Sequence, residues 1–191
     1  MNEVILYDYW RSSASYRVRI ALCLLGIPYR TEPIDLVAGM HKSPEFRERN
    51  PQGLVPALQI DGVLLTQSLA IIEYLDETQK EAGFLPKDAV GRQHVRALSH
   101  VIAMDIHPVC NLGVVGNVMK MAEAHGGDPT EIRLAWMQKY IAEGLNAFEQ
   151  LLDPANSGGF CHGDRPSMAD ICLIPQVFNA KRWGVDIGGL N

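Results

Sequence analysis

The chain has 191 residues, enough for one large domain or two small ones. It is 47% hydrophobic and 20% charged, which suits a globular core, and its net charge of −5 argues against a general nucleic-acid binder. Its four cysteines, Cys23, Cys110, Cys161 and Cys172, form no Cys-x-x-Cys pair and sit in apolar or helical contexts, so buried free thiols are expected rather than disulfides or a metal site.

The elements follow in order. Val4 to Tyr7 reads as a strand, and Ser13 to Leu25 as a helix with Val18, Ala21, Leu22 and Leu25 on one face and Gly26 as its stop. Tyr29 to Ile34 is a second strand. Ser43-Pro44-Glu45 is an N-cap, a first-turn proline and an acid, opening a short helix that ends near Asn50. Ala57–Ile60 and Val63–Thr66 flank Asp61-Gly62, a two-residue hairpin signal. A further helix starts near Ser68 and carries Ile71, Ile72 and Leu75. The order is βαβαββα with one crossover and one hairpin, which predicts a mixed sheet. Residues 81–88 break the pattern with Gly and Pro and are read as the linker, giving domains over 1–82 and 88–191.

The remainder reads as helix. A periodic stretch runs from Ala89 to about Ala124 with Pro108 as a kink or break. Asp128-Pro129-Thr130-Glu131 opens a helix to about Leu152, and Ser167-Met168-Ala169-Asp170 has capping-box spacing ahead of Ile171. No basic segment with an apolar run behind it opens the chain, and no apolar stretch of roughly 18 residues is read along it, so a cytoplasmic protein with no membrane association is expected.

Three places carry chemistry. Ser12 and Ser13 lie where a strand feeds a helix N-terminus; free N–H groups and hydroxyls converge there, and the helix dipole favours an anion. A serine at such a place is ordinarily only an N-cap. Pro56 directly precedes a strand, where a cis Val55–Pro56 bond would turn the Val55 backbone outward to pair with an extended peptide; the plain alternative is a turn proline. Gln67-Ser68 starts another helix, whose N–H groups and Ser68 hydroxyl suit a carboxylate, or again only a cap. Together they describe a site for a thiolate, a peptide edge and a carboxylate, the three groups that glutathione offers.

The run Arg11-Ser12-Ser13-Ala14-Ser15-Tyr16-Arg17-Val18-Arg19-Ile20-Ala21-Leu22 resembles the signature of zeta-class glutathione transferases. So do Asn50–Leu58, Gln67–Leu75, Gly163-Asp164 through Asp170, and Pro175–Arg182. The resemblance covers essentially the whole chain. It implies a thioredoxin-like glutathione-binding domain followed by an all-helical substrate domain, in a homodimer. It further implies that Ser12 bonds the glutathione thiolate with Ser13 assisting, that Val55 pairs with the cysteinyl backbone, that Gln67 and Ser68 take the γ-glutamyl end and His41 the glycyl end. Arg11, His107 and Arg182 would face an acidic substrate. Without the resemblance, His107 reads as a core or surface histidine and Arg182 as a solvated helix face. The implied activity is glutathione-dependent cis–trans isomerisation of maleylacetoacetate to fumarylacetoacetate in tyrosine and phenylalanine breakdown. Maleylpyruvate isomerisation, transfer to or dehalogenation of small α-halo acids, and glutathione binding without turnover are its alternatives.

Three departures from the family pattern stand out. Ala14 occupies a position where some relatives carry Cys, so no protein thiol is expected in the chemistry. Gly113 stands where bacterial relatives often carry Arg. The chain is also expected to lack a terminal helix of the helical domain.

Overall fold

The computed structural model describes residues 3–190 and divides into two units, Met1–Leu85 and Pro86–Asn191. In the first unit, β1 (Ile5–Asp8), β2 (Arg30–Pro33), β3 (Ala57–Ile60) and β4 (Val63–Thr66) form one sheet in the order β2-β1-β3-β4. β1 is parallel to β2 and antiparallel to β3, and β3 is antiparallel to β4. The parallel pair needs a crossover, which α1 (Ser13–Leu24) supplies. The antiparallel pair closes through Asp61 and Gly62 at φ 53° and 81°, the two left-handed residues that a type I′ turn requires. β1 lies one residue later than the sequence reading put it. Its ladder extends past Tyr7 because Asp8 pairs with Pro33 and its carbonyl accepts from the Ile34 N–H at 2.7 Å.

α1 buries Val18, Ala21 and Leu22 against α3 (Ser68–Thr78), which contributes Ile71, Ile72 and Leu75. Each large aliphatic side chain buried there stabilises the unit by about 1.5–3 kcal/mol. α1 ends at Gly26, whose φ of 62° suits a residue without Cβ. α2 (Pro44–Arg49) starts on Ser43, whose Oγ accepts from the Phe46 N–H at 3.2 Å. That start directs Phe46 into a cluster with Tyr7, Ile34, Val55 and Ala57. After α3, the Asp76 carboxylate accepts from the Phe84 and Leu85 N–H groups at 2.6 and 3.3 Å. Ala82, Phe84 and Leu85 are buried, so the first part of the segment read as linker packs against its surroundings while Lys87 and Asp88 are exposed.

The second unit is helical: α4 (Ala89–His100), a π-helical turn (Val101–Ile106), α5 (His107–Val109), α6 (Leu112–Ala124), α7 (Pro129–Leu151) and α8 (Met168–Arg182). The stretch 89–124 is distorted beside Pro108 rather than broken at it, the kink of the two expected outcomes. It widens before the proline and breaks after it, at Asn111, whose side chain accepts from the Val114 N–H at 3.0 Å. Pro108 has no N–H for the carbonyl one turn back, and a π turn is one of the few ways a helix absorbs that loss. Gly144 of α7 admits the widened turn, because a Cβ there would overlap the Ile106 side chain. Contrary to the reading of short apolar runs, 89–124 does hold an 18-residue window apolar enough, by length and composition, to cross a membrane. Val95, Leu98, Ile102, Ile106 and Val115 of that run are buried in the unit.

α7 is capped by Asp128, which accepts from the Thr130 N–H at 2.7 Å with Pro129 at the first position. At the start of α8, the Asp170 carboxylate accepts from the Ser167 N–H and the Cys161 N–H at 2.8 and 2.9 Å. The cysteines are not uniformly buried. Cys161 and Cys172 are, Cys110 is half-buried, and Cys23 is exposed because it projects from the face of α1 opposite Val18 and Ala21.

Candidate active site

The sheet register gathers the three sequence signals of the first unit at one edge. Tyr7 at the C-terminal part of β1 pairs with Ala57 at the start of β3, and Ala57 pairs with Thr66 at the end of β4. The loop leading to α1, the Val55–Pro56 segment and the entry to α3 therefore leave or enter the sheet side by side.

Ser12 is the N-cap of α1. Its Oγ accepts from the Ser15 N–H at 3.2 Å, and its carbonyl accepts from Tyr16 at 2.9 Å. The hydroxyl proton of Ser12 is not consumed by the cap, since a cap uses only a lone pair. Ser13 and Ala14 occupy the first helical positions, where backbone N–H groups lack intrahelical acceptors and the dipole is positive. Arg11 is exposed, with Cζ 5.3 Å from the centre of the Trp10 ring, and Trp10 is itself 73% exposed. Arg19 anchors this turn from within α1: Nη1 donates to the Asp8 carboxylate at 2.7 Å and Nη2 to the Trp10 carbonyl at 3.1 Å. Sequence reasoning missed Arg19 and Asp8 as supports of the turn.

The Val55–Pro56 bond is cis. The loop before it is held by buried Asn50, whose Nδ2 donates to the Leu54 carbonyl at 2.8 Å while Oδ1 accepts from the Gln52 N–H at 3.2 Å. Gly53 adopts φ 62°, and a Cβ there would sit 2.8 Å from the His41 carbonyl oxygen. His41 is half-buried, and burial, followed by the charges of Lys42 and Arg47, holds its pKa below the ordinary 6.5. It is accordingly neutral near pH 7 in the free protein.

Gln67 enters α3 at φ 67° and ψ 112°, an unusual conformation for a residue with a Cβ. Its Nε2 donates to Gln52 Oε1 at 2.8 Å. Ser68, at the first helical position, accepts a hydrogen bond at 3.2 Å from Nη1 of the buried Arg17. Ser68 thus does not act as the cap. Gln52 and Arg17 are partners that sequence spacing did not reveal.

In the second unit, His107 is half-buried at the start of α5, immediately after the π turn. Arg182 is exposed in the last turn of α8, with Cζ 5.5 Å from the centre of the Trp183 ring. Cys110 is raised to about 11 by burial, so its thiol stays protonated at neutral pH. Gly113 lies in the first turn of α6. Among the described residues no group of three or more His, Cys, Asp or Glu is placed to hold a metal ion.

A serine-capped helix end, a cis-proline segment and a second helix end on one edge of a βαβαββα sheet, followed by a helical unit, define a class of protein. The chain belongs to the glutathione S-transferase family: the family's N-terminal domain matches residues 11–78 and its C-terminal domain residues 93–189. Within the family it is 64% identical over 186 residues to the maleylacetoacetate isomerase of Rhizobium meliloti (strain 1021), covering 97% of this chain and 85% of that one. It is 46% identical to the maleylacetoacetate isomerase of Mus musculus, over 97% of this chain and 82% of that one. Among solved structures, the maleylacetoacetate isomerase of Methylobacterium extorquens AM1 with bound malonate and GSH aligns with a TM-score of 0.89 at 40% identity, over 97% and 86% of the two chains. A zeta-class maleyl pyruvate isomerase in its holo form aligns with a TM-score of 0.88 at 43% identity, over 96% and 85%.

Proposed function

We propose that this protein catalyses the glutathione-dependent cis–trans isomerisation of maleylacetoacetate to fumarylacetoacetate. The observation that carries the reading is the register that brings Ser12, Val55 and Ser68 to one sheet edge, each with a donor or acceptor suited to one part of glutathione. The residues present fit that cofactor. Ser12 keeps a hydroxyl proton for a thiolate, and the Ser13 and Ala14 N–H groups surround the same point at the positive end of α1. The Val55 backbone suits the cysteinyl amide, Gln67 and Ser68 the γ-glutamyl end, and His41 the glycyl carboxylate.

Glutathione held by Ser12, Val55, Gln67, Ser68 and His41 would supply a thiolate nucleophile for reversible addition to the cis double bond. The protein's part is electrostatic. Ser12 and the α1 N-terminus hold the thiol in its ionised form. The resemblance would give Arg11, His107 and Arg182 the task of meeting the acidic groups of the diketo acid and the enolate charge that develops. A guanidinium suits this because its planar fork meets a carboxylate with two donors. The assignment of these three residues rests on the family resemblance. A cytoplasmic homodimer belongs to the same reading.

The test is product analysis by NMR with glutathione and either maleylacetoacetate or maleylpyruvate. Formation of the fumaryl isomer with higher kcat/KM for maleylacetoacetate supports the proposal. Preference for maleylpyruvate, a glutathione adduct with an α-halo acid alone, or no turnover would overturn it. Arg182→Ala should lower kcat/KM for the diketo acid by about 10- to 150-fold, the worth of one charge-assisted bond, and leave an uncharged electrophile unaffected.

A further inference from the structure

Arg17 is 2% exposed, the bulkiest fully buried side chain among the described residues, and it lies on α1 beyond the first turn that would meet the thiolate. Its Nη1 reaches the Oγ of Ser68, 51 residues away in sequence and itself 6% exposed. The contact has only one possible polarity. A guanidinium has donors and no acceptor, so Ser68 Oγ accepts. A hydroxyl carries one proton, and with a lone pair committed to Arg17 that proton is free to point away from α1, towards the entry of α3. We propose that Arg17 is a positioning residue that fixes the Ser68 hydroxyl as an acceptor from inside, so that its proton is aimed at the γ-glutamyl carboxylate of glutathione.

The placement of charge supports the same role. α1 and α3 both present positive helix ends at this edge of the sheet, and a buried guanidinium bridging the two helices adds a third positive contribution at low dielectric. Arg17 therefore ties together the thiolate end and the γ-glutamyl end of the site without touching the ligand itself. Arginine suits this position because it stays charged when buried, whereas a lysine so placed loses its proton more readily.

This inference rests on the reading of Ser68 as a glutathione ligand, and the experiment separates the two. Calorimetric affinities are measured for glutathione and for cysteinylglycine, which lacks the γ-glutamyl group, on the full chain carrying Arg17→Met, Arg17→Lys, Ser68→Ala and the Arg17→Met/Ser68→Ala pair. Thermal melts check that each variant folds; should Arg17→Met not fold, Arg17→Gln, too short to reach Ser68, takes its place. Arg17→Met is expected to weaken glutathione about tenfold, the scale for one charge-assisted contact, with cysteinylglycine unchanged. Arg17→Lys should recover part of the loss, and Arg17→Met should add nothing in the Ser68→Ala background. Equal losses for both ligands, additive effects in the double variant, or full glutathione affinity in Arg17→Met would overturn the positioning role while leaving Ser68 in place. Unchanged glutathione affinity in Ser68→Ala would overturn both.

Discussion

The proposed function gives Ser12 a second duty beside its cap, and a pair of substitutions pulls the two apart. As N-cap it accepts from the Ser15 N–H at 3.2 Å. Losing a cap costs about 1 kcal/mol of stability, which for a chain of this size lowers Tm by about 2–4 °C. As thiolate donor it is worth more: removing one preorganised donor from a developing anion costs about 10²–10³ in kcat, or 2.7–4 kcal/mol. Ser12→Ala should therefore show a small loss of Tm, a large loss of kcat and a raised pKa of bound glutathione. Ser12→Asp keeps an acceptor for the Ser15 N–H and suits the positive helix end, so its Tm should match or exceed wild type. It has no proton to give at neutral pH and repels a thiolate, so its kcat should fall at least as far as that of Ser12→Ala. The assays are a thermal melt, steady-state isomerisation and an ultraviolet titration of the bound thiolate. A Ser12→Asp enzyme with wild-type turnover, or a Ser12→Ala enzyme with an unchanged thiolate titration, refutes the donor role and leaves Ser12 as a cap alone; Ser13 is then the next residue to test.

Other consequences are as direct. Cys110→Ala should leave kcat within a few-fold, because a thiol raised to about 11 is not a nucleophile at neutral pH; a loss beyond about 100-fold, 2.7 kcal/mol of barrier, in a folded variant would contradict this. Alkylation near pH 8, followed by peptide mapping, should modify exposed Cys23 well before Cys161 or Cys172. Gly53→Ala should destabilise the chain by more than the ~1 kcal/mol at stake in a compatible glycine exchange, since its φ of 62° and the 2.8 Å approach to the His41 carbonyl both oppose a Cβ; an unchanged urea midpoint would refute it. His41 has a folded pKa below 6.5, so as pH falls through 6.5 the unfolded chain takes up a proton that the folded one refuses. Its contribution to stability is thus fully present above 6.5 and lost as pH falls through the lower folded value, and His41→Asn should flatten the urea-stability curve just below pH 6.5; an identical slope in the variant removes His41 as the source.

What could be read from the sequence was set by local chemistry. Asp61-Gly62 names its own turn because few other residue pairs tolerate two positive φ angles, and Ser43-Pro44 and Asp128-Pro129 name helix starts for equally local reasons. The hydrophobic spacing in α1 and α3 marked the faces that are buried. The boundary of the widened helix before Pro108 was not legible, because it depends on what lies opposite. Only the space left by Gly144, far along the chain on α7, lets Ile106 sit where a π turn puts it. Cys23 misled for a related reason: an apolar neighbourhood in sequence does not say on which side of a helix a residue falls.

The same division runs through the candidate site. Ser12, Val55 and Ser68 were legible because each stands beside a structural punctuation mark: a strand end, a proline, a helix start. The residues that hold them were not. Arg19 reaches Asp8 and Trp10, Gln52 reaches Gln67, and Arg17 reaches Ser68, and none of these pairs follows a helical or strand period that sequence could display. Yet they decide whether a serine at a helix end is a cap or a donor. Ser12 caps α1 with a lone pair and keeps its proton, whereas Ser68 surrenders a lone pair to a buried cation and also keeps its proton. Two serines with different supports are thus left in the same chemical condition, as free hydroxyl donors at positive helix ends on one sheet edge. A ligand with an anion at each of two positions would suit such an edge, and under the proposed function glutathione, with its thiolate and γ-glutamyl carboxylate, offers both.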